Sequence, residues 1–111
     1  MDITTEQAGT VVTVALSGRL DAATSKSVEE HLLDAIAKGA QGLVIDLQRL
    51  DYISSVGLRV FIVAGKRMKA TNGRLVVCAL KPEIAQVFTI AGFMNLFPIF
   101  GTRSEAVSHF S

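Results

Sequence analysis

Apolar and polar residues alternate one by one through Val12–Ser17, where Val12, Val14 and Leu16 are set apart by Thr13 and Ala15. A period of two is the pattern of a strand with one buried face. The turn-forming "QAG" before it predicts a hairpin with a short partner strand near Asp2–Glu6. Beyond Gly18 the period lengthens. Val28, Leu32, Leu33 and Ile36 recur at spacings of three and four, which gives one apolar helical face. Thr24 is the candidate N-cap of that helix, and it runs to about Lys38 with Gly39 as the stop signal. "GLVIDL" at Gly42–Leu47 is nearly continuous in apolar residues, as in a parallel-sheet strand covered on both faces.

The rest of the chain repeats the alternation. A helix is predicted from about Ser55 to Ala70, closed by "TNG", and the strand "RLVVCAL" follows. Pro82 suits the first turn of the next helix, and Gly92 ends it. "LFPIF" reads as a short edge strand, where a proline is tolerated. Thr102 and Glu105 have the spacing of a capping box at the start of a last helix. The expected fold is α/β, one domain over residues 1–111, with a mixed, mostly parallel sheet of four to five strands, an N-terminal hairpin and about four packed helices.

Composition narrows the function classes. Half of the 111 residues are hydrophobic, enough to bury a core without metal or disulfide staples. Lys and Arg number 11 against 10 Asp and Glu, so there is no basic excess of the kind that nucleic-acid binding needs. The single cysteine, Cys78, lies inside "LVVCAL" and reads as a core residue, and one free thiol fits a reducing cytoplasm. "MDITTEQAGT" lacks a basic flank and an apolar core, and no apolar run approaches the ~20 residues that cross a bilayer. The expectation is a soluble, cytoplasmic protein that neither inserts in a membrane nor binds nucleic acid.

One stretch carries the candidate chemistry. "DYISSVGLRV" at Asp51–Val60 sets two serines and a glycine where strand gives way to helix. Ser54 or Ser55 could be an N-cap, accepting a backbone N–H bond worth ~1 kcal/mol. A nucleophilic serine would need a base. The segment has no G-x-S-x-G elbow, and His31 and His109 fall in mid-helix and near the C-terminus. Two isolated histidines make no metal site, and "SSVGLR" lacks the glycine and lysine pattern of a phosphate-binding loop. The third reading makes the hydroxyl a substrate. A helix N-terminus accommodates a phosphate through its unpaired N–H groups and dipole, and phosphorylation adds about −1.5 to −2 charges.

The run "IDLQRLDYISSVGLRVF" resembles the signature of anti-sigma factor antagonists, which are single STAS domains. Tyr52 and Ile53 hold its aromatic and aliphatic places. Ser54 stands where many members carry Asp, Ser55 falls on the phosphorylated serine, and Val56, Gly57 and Leu58 follow as the small residue, glycine and leucine. "LSGRLDAATS" and "GRLVVCALKPEIAQVFTIAGF" extend the resemblance over nearly the whole chain. It implies a partner switch. The unphosphorylated antagonist binds an anti-sigma factor that is itself a serine kinase, and sigma factor is freed for transcription. Phosphorylation on Ser55 breaks the complex, and a serine phosphatase restores it. No cofactor belongs to the antagonist, since ATP and Mg2+ sit on the kinase.

The resemblance places Asp21 with Ser54 and Gly57 around the phosphorylation site, and a turn or capping role before the first helix is the alternative for Asp21. Ser55, Arg59, Ile62 and Lys66 share one helical face, and with Leu58 they are the candidate partner contacts. Ile62 could equally be peripheral core. Val56, Val60, Val63 and Ala64 are expected to pack on the sheet. Asp46 reads as a hydrogen-bonded structural acid near a strand end, with a place in the acceptor pocket as its alternative. A monomer or a weak edge-paired dimer is expected. Two other functions compete: a STAS interaction subunit of a lipid transporter or stress-signalling assembly, and a small hydrolase using Ser55.

Overall fold

In the computed structural model, which describes residues 1–110, ten elements alternate along the chain. They are β1 (Asp2–Ala8), β2 (Val11–Leu20), α1 (Ser25–Ala37), β3 (Gly42–Ile53), α2 (Ser55–Ala70), β4 (Arg74–Cys78), α3 (Pro82–Ile90), a 3₁₀ turn (Phe93–Asn95), β5 (Ile99–Phe100) and α4 (Arg103–Ser108). The strands lie in sequence order, with β1 antiparallel to β2 and every later pair parallel. The predicted hairpin is longer than the sequence suggested: β1 runs to Ala8 and turns at Gly9, whose φ of 62° favours glycine. "LFPIF" contributes only Ile99 and Phe100 to the sheet.

The alternation of β3 sorts its side chains into two cores. Leu43, Ile45 and Leu47 join the larger one, beneath Val28, Leu32 and Ile36 of α1, Phe61 and Met68 of α2, and Ile84 and Phe88 of α3. Val44 faces the other way, with Val76, Cys78 and Ala106 under α4. Both faces of the central strands are thus covered, which is why "GLVIDL" lacks polar alternation. Burial and the nearby Asp46 carboxylate push the Cys78 thiol up to about 12.

α4 is held over its face by one guanidinium. Arg103 Nε donates to Asp46 Oδ2 at 2.8 Å, and Arg103 Nη1 lies 3.3 Å from Glu6 Oε2. Asp46 is only 5% exposed, and its Oδ1 accepts the Gln48 N–H at 3.0 Å. Its role is the structural one anticipated from sequence. The hydrogen bond to Asp46 and its nearby charge raise the Arg103 pKa further, so the guanidinium stays charged.

The lengths of the strand ladders position the site. β4 pairs only with Gly42–Asp46, whereas β2 stays paired with β3 up to Leu20–Ile53 through two irregularities in register. The far half of β3 therefore passes beyond β4 and delivers the chain to the start of α2.

Arg103→Met removes the charge partner of a buried carboxylate. Urea denaturation is expected to show a loss of about 1–3 kcal/mol, discounted from the fully buried case because Arg103 is partly exposed, and Asp46→Asn in the same chain should recover part of it. Cys78 should resist iodoacetamide at pH 8 in the folded protein and react on unfolding, since the thiolate is absent at that pH.

Candidate functional site

The junction between β3 and α2 is built on the end of β2. The Ser54 N–H donates to the Leu20 carbonyl at 2.9 Å and closes the β2–β3 ladder. Ser54, still extended, is the N-cap of α2, with its Oγ accepting the Gly57 N–H at 3.2 Å. The cap is therefore Ser54, and Ser55 occupies the first helical position with its side chain exposed. The Ser55 and Val56 N–H groups have no acceptor among the described residues.

Gly57 is fixed by contact. A Cβ there would stand 2.8 Å from both the Leu20 carbonyl oxygen and Leu20 Cγ, and 3.1 Å from Ile53 Cγ1. No larger residue fits without pushing α2 off β2. Leu58 is 3% exposed and belongs to the large core. This corrects its assignment as a partner contact. Val56 is corrected in the opposite direction: it was expected to pack on the sheet and is 48% exposed. At the first turn the buried arc of α2 falls on Gly57, Leu58, Val60 and Phe61, so Val56 projects beside Ser55.

Asp21 follows Leu20 directly. Its Oδ1 accepts the N–H groups of Ala23 at 3.0 Å and Thr24 at 3.3 Å, which makes it the turn residue before α1. Thr24 stands at the cap position without capping: its Oγ1 accepts the Asp21 N–H at 3.0 Å, outside the helix, and its hydroxyl donates to the Arg19 carbonyl at 2.8 Å. Since Leu20 holds Ser54, Asp21 also borders the junction.

Two surface residues here were not singled out by sequence reasoning. The Arg19 guanidinium lies 4.2 Å from the centroid of the Tyr52 ring, its cross-strand partner. Tyr52 is 40% exposed and forms a platform under that guanidinium. Lys81, at the start of α3, pairs with Asp51. The register of β2 against β3 was the missing signal for the first contact. Arg59 is exposed one turn into α2 and makes no ion pair among the described residues. Ile62 and Lys66 line a separate cleft farther along the helix.

The junction thus offers an exposed hydroxyl, two unused N–H groups, an apolar step of Tyr52 and Val56, and cations at Arg19 and Arg59. Neither histidine serves Ser55: His31 Nε2 meets Thr5 Oγ1 at 2.6 Å, and His109 Nε2 meets Arg74 Nη1 at 2.9 Å. Among the described residues no cluster of three His, Cys, Asp or Glu could hold a metal, and no helix is long and apolar enough to cross a membrane.

The profile of the STAS domain family matches residues 2–106. The chain is 37% identical over 110 residues to BtrV of Bordetella bronchiseptica, covering 99% of this chain and 95% of that protein. It is 30% identical over 94 residues to the anti-sigma-B factor antagonist of Listeria monocytogenes, covering 85% and 82%. This chain belongs to the STAS-domain family of anti-sigma factor antagonists. The STAS fold extends to the solved structures of SpoIIAA. The unphosphorylated form superposes with a TM-score of 0.86 at 22% identity, over 98% of this chain and 96% of that one. The phosphorylated form, from Bacillus, gives 0.79 at 21% identity over 99% and 100%. At these identities the likeness is one of fold.

The two serines of this STAS domain should separate in stability. Ser54→Ala loses the cap bond and is expected to cost about 1 kcal/mol, a fall in Tm of about 4–6 °C for a domain of this size. Ser55→Ala should stay within about 0.5 kcal/mol of the parent. Thermal unfolding followed by circular dichroism measures both.

Proposed function

We propose that this chain is an anti-sigma factor antagonist switched by phosphorylation of Ser55. Unphosphorylated, it binds an anti-sigma factor that is also a serine kinase, and sigma factor is released for transcription. The kinase supplies ATP and Mg2+, transfers phosphate to Ser55 and thereby ends the complex. A serine phosphatase resets the cycle in the cytoplasm, and the antagonist acts as a monomer or weak dimer.

The observation that carries this reading is the position of Ser55: exposed, first in α2, and directly after a residue that already caps the helix. A dianion on its Oγ would meet the positive end of the helix dipole and the unused N–H groups of Ser55 and Val56. The phosphate would therefore act at the interface and not by refolding the domain. Tyr52 and Val56 give a partner apolar surface to bury, and Arg59 continues the contact along α2. A phosphate among them would have to be desolvated in the complex, which opposes binding. SpoIIAA, of the same fold, is known in both unphosphorylated and phosphorylated forms, in support of a switch that preserves the fold.

Incubation with candidate anti-sigma kinases and ATP, followed by mass mapping, should place one phosphate on Ser55. Ser55→Ala should block transfer and keep kinase binding, whereas Ser55→Asp should weaken binding about tenfold or more, at about 1.4 kcal/mol per decade. Phosphate on Ser54, or a large backbone rearrangement on phosphorylation, would overturn the assignment.

A further inference from the structure

The exposed stripe of α2 that starts at Ser55 runs past Arg59 into a cleft of about 520 Å³. Its walls are Ile62, Lys66 and Lys69 of α2, Leu75 of β4, and Leu96 and Phe97 after the 3₁₀ turn. The walls differ in chemistry. On one side, Leu96 is 56% exposed and Phe97 lies against the helix at Gly65, where a Cβ would stand 2.8 Å from the Phe97 ring. On the other, Lys66 and Lys69 lie three residues apart on the same helical face. Neither is in an ion pair among the described residues. A third lining cation, Arg74, bonds His109 and no carboxylate. Among the described residues no acidic side chain lines the cleft.

Basic residues in the last turn of a helix complement its dipole, which accounts for a lysine there. It does not account for an apolar wall facing those lysines, in which Leu96 is exposed and Phe97 only partly buried. An inorganic anion would satisfy the cations and leave Leu96 and Phe97 wet. A neutral apolar ligand would bury that wall and leave three cations unpaired. The volume lies within the range of small-molecule sites, roughly 300–1,000 Å³.

We propose that this cleft binds a small amphiphilic anion: an aliphatic or aromatic body against Leu96 and Phe97, with a carboxylate, sulfonate or phosphate held by Lys66 and Lys69. The site lies toward the far end of α2, with Lys69 about 20 Å from Ser55 by helical rise. Its occupancy does not require the phosphoryl switch.

The test is an amide NMR titration of the full chain with sodium decanoate below its micellar range, at fixed low salt, beside decyltrimethylammonium and inorganic phosphate. Decanoate should give saturable shifts centred on Gly65, Gly73 and Phe97, and the cation and free phosphate should not. Lys66→Glu/Lys69→Glu should weaken decanoate at least about tenfold, with Lys66→Gln/Lys69→Gln intermediate and Lys26→Glu on α1 unchanged. The dispersion of each spectrum reports folding of the variant. Absence of saturable shifts, equal binding of the cation, full saturation by phosphate alone, or lysine variants within twofold of the parent would each overturn the proposal. So would saturable binding by an acidic peptide where decanoate has no effect. Repeating the titration on Ser55→Ala should change nothing, so failure of the switch and failure of the cleft are read separately.

Discussion

The backbone carbonyl of Leu20 is the point on which the arrangement turns. It accepts the Ser54 N–H at 2.9 Å, and a Cβ on Gly57 would stand 2.8 Å from it. One oxygen thereby ends the β2–β3 ladder, sets the first turn of α2 and requires glycine at the third helical position. Because α2 is pressed so close to β2, Leu58 and Phe61 turn into the core and Ser55 and Val56 turn out. The same strand end presents Arg19 over Tyr52 and starts the Asp21 turn into α1. The backbone that carries the Ser55 hydroxyl is therefore fixed by its neighbours, while the hydroxyl itself is exposed.

α2 is in consequence a helix with one buried arc and one exposed stripe. It carries Arg59, Lys66, Arg67 and Lys69 and no acidic residue. At its N-terminus the unused N–H groups favour an anion; toward its C-terminus the lysines do so, beside an apolar wall. The opposite arc, from Leu58 to Met68, is buried under the sheet-facing core. The residues that hold the helix down are thus on the arc opposite to its exposed charges.

Much of this was legible in the sequence. Element order and type follow from hydrophobic period and from stop signals at Gly39 and Gly92, and "GLVIDL" announced a strand covered on both faces. The segment DYISSVGLRV marked the junction, and its spacing put Ser55 and Arg59 on one face. Side-chain direction at the helix start was less legible. Val56 and Leu58 both read as apolar, and only the angle at which α2 meets β2 sends one out and the other in. Helical period gives spacing around an axis, but the zero of that rotation is a tertiary quantity.

The sequence by itself determined the local choices: where strands and helices lie, that a serine caps α2, and that Cys78 is core. These depend on residues near one another along the chain. The tertiary structure decided what depends on register between distant segments. It chose Ser54 as cap and left Ser55 free, stacked Arg19 on Tyr52, tied Asp46 through Arg103 to Glu6, and set Ile62 and Lys66 beside Leu96 and Phe97. The reason is that a parallel ladder sets its offset by the sum of its buried contacts, and no single stretch of sequence contains that sum.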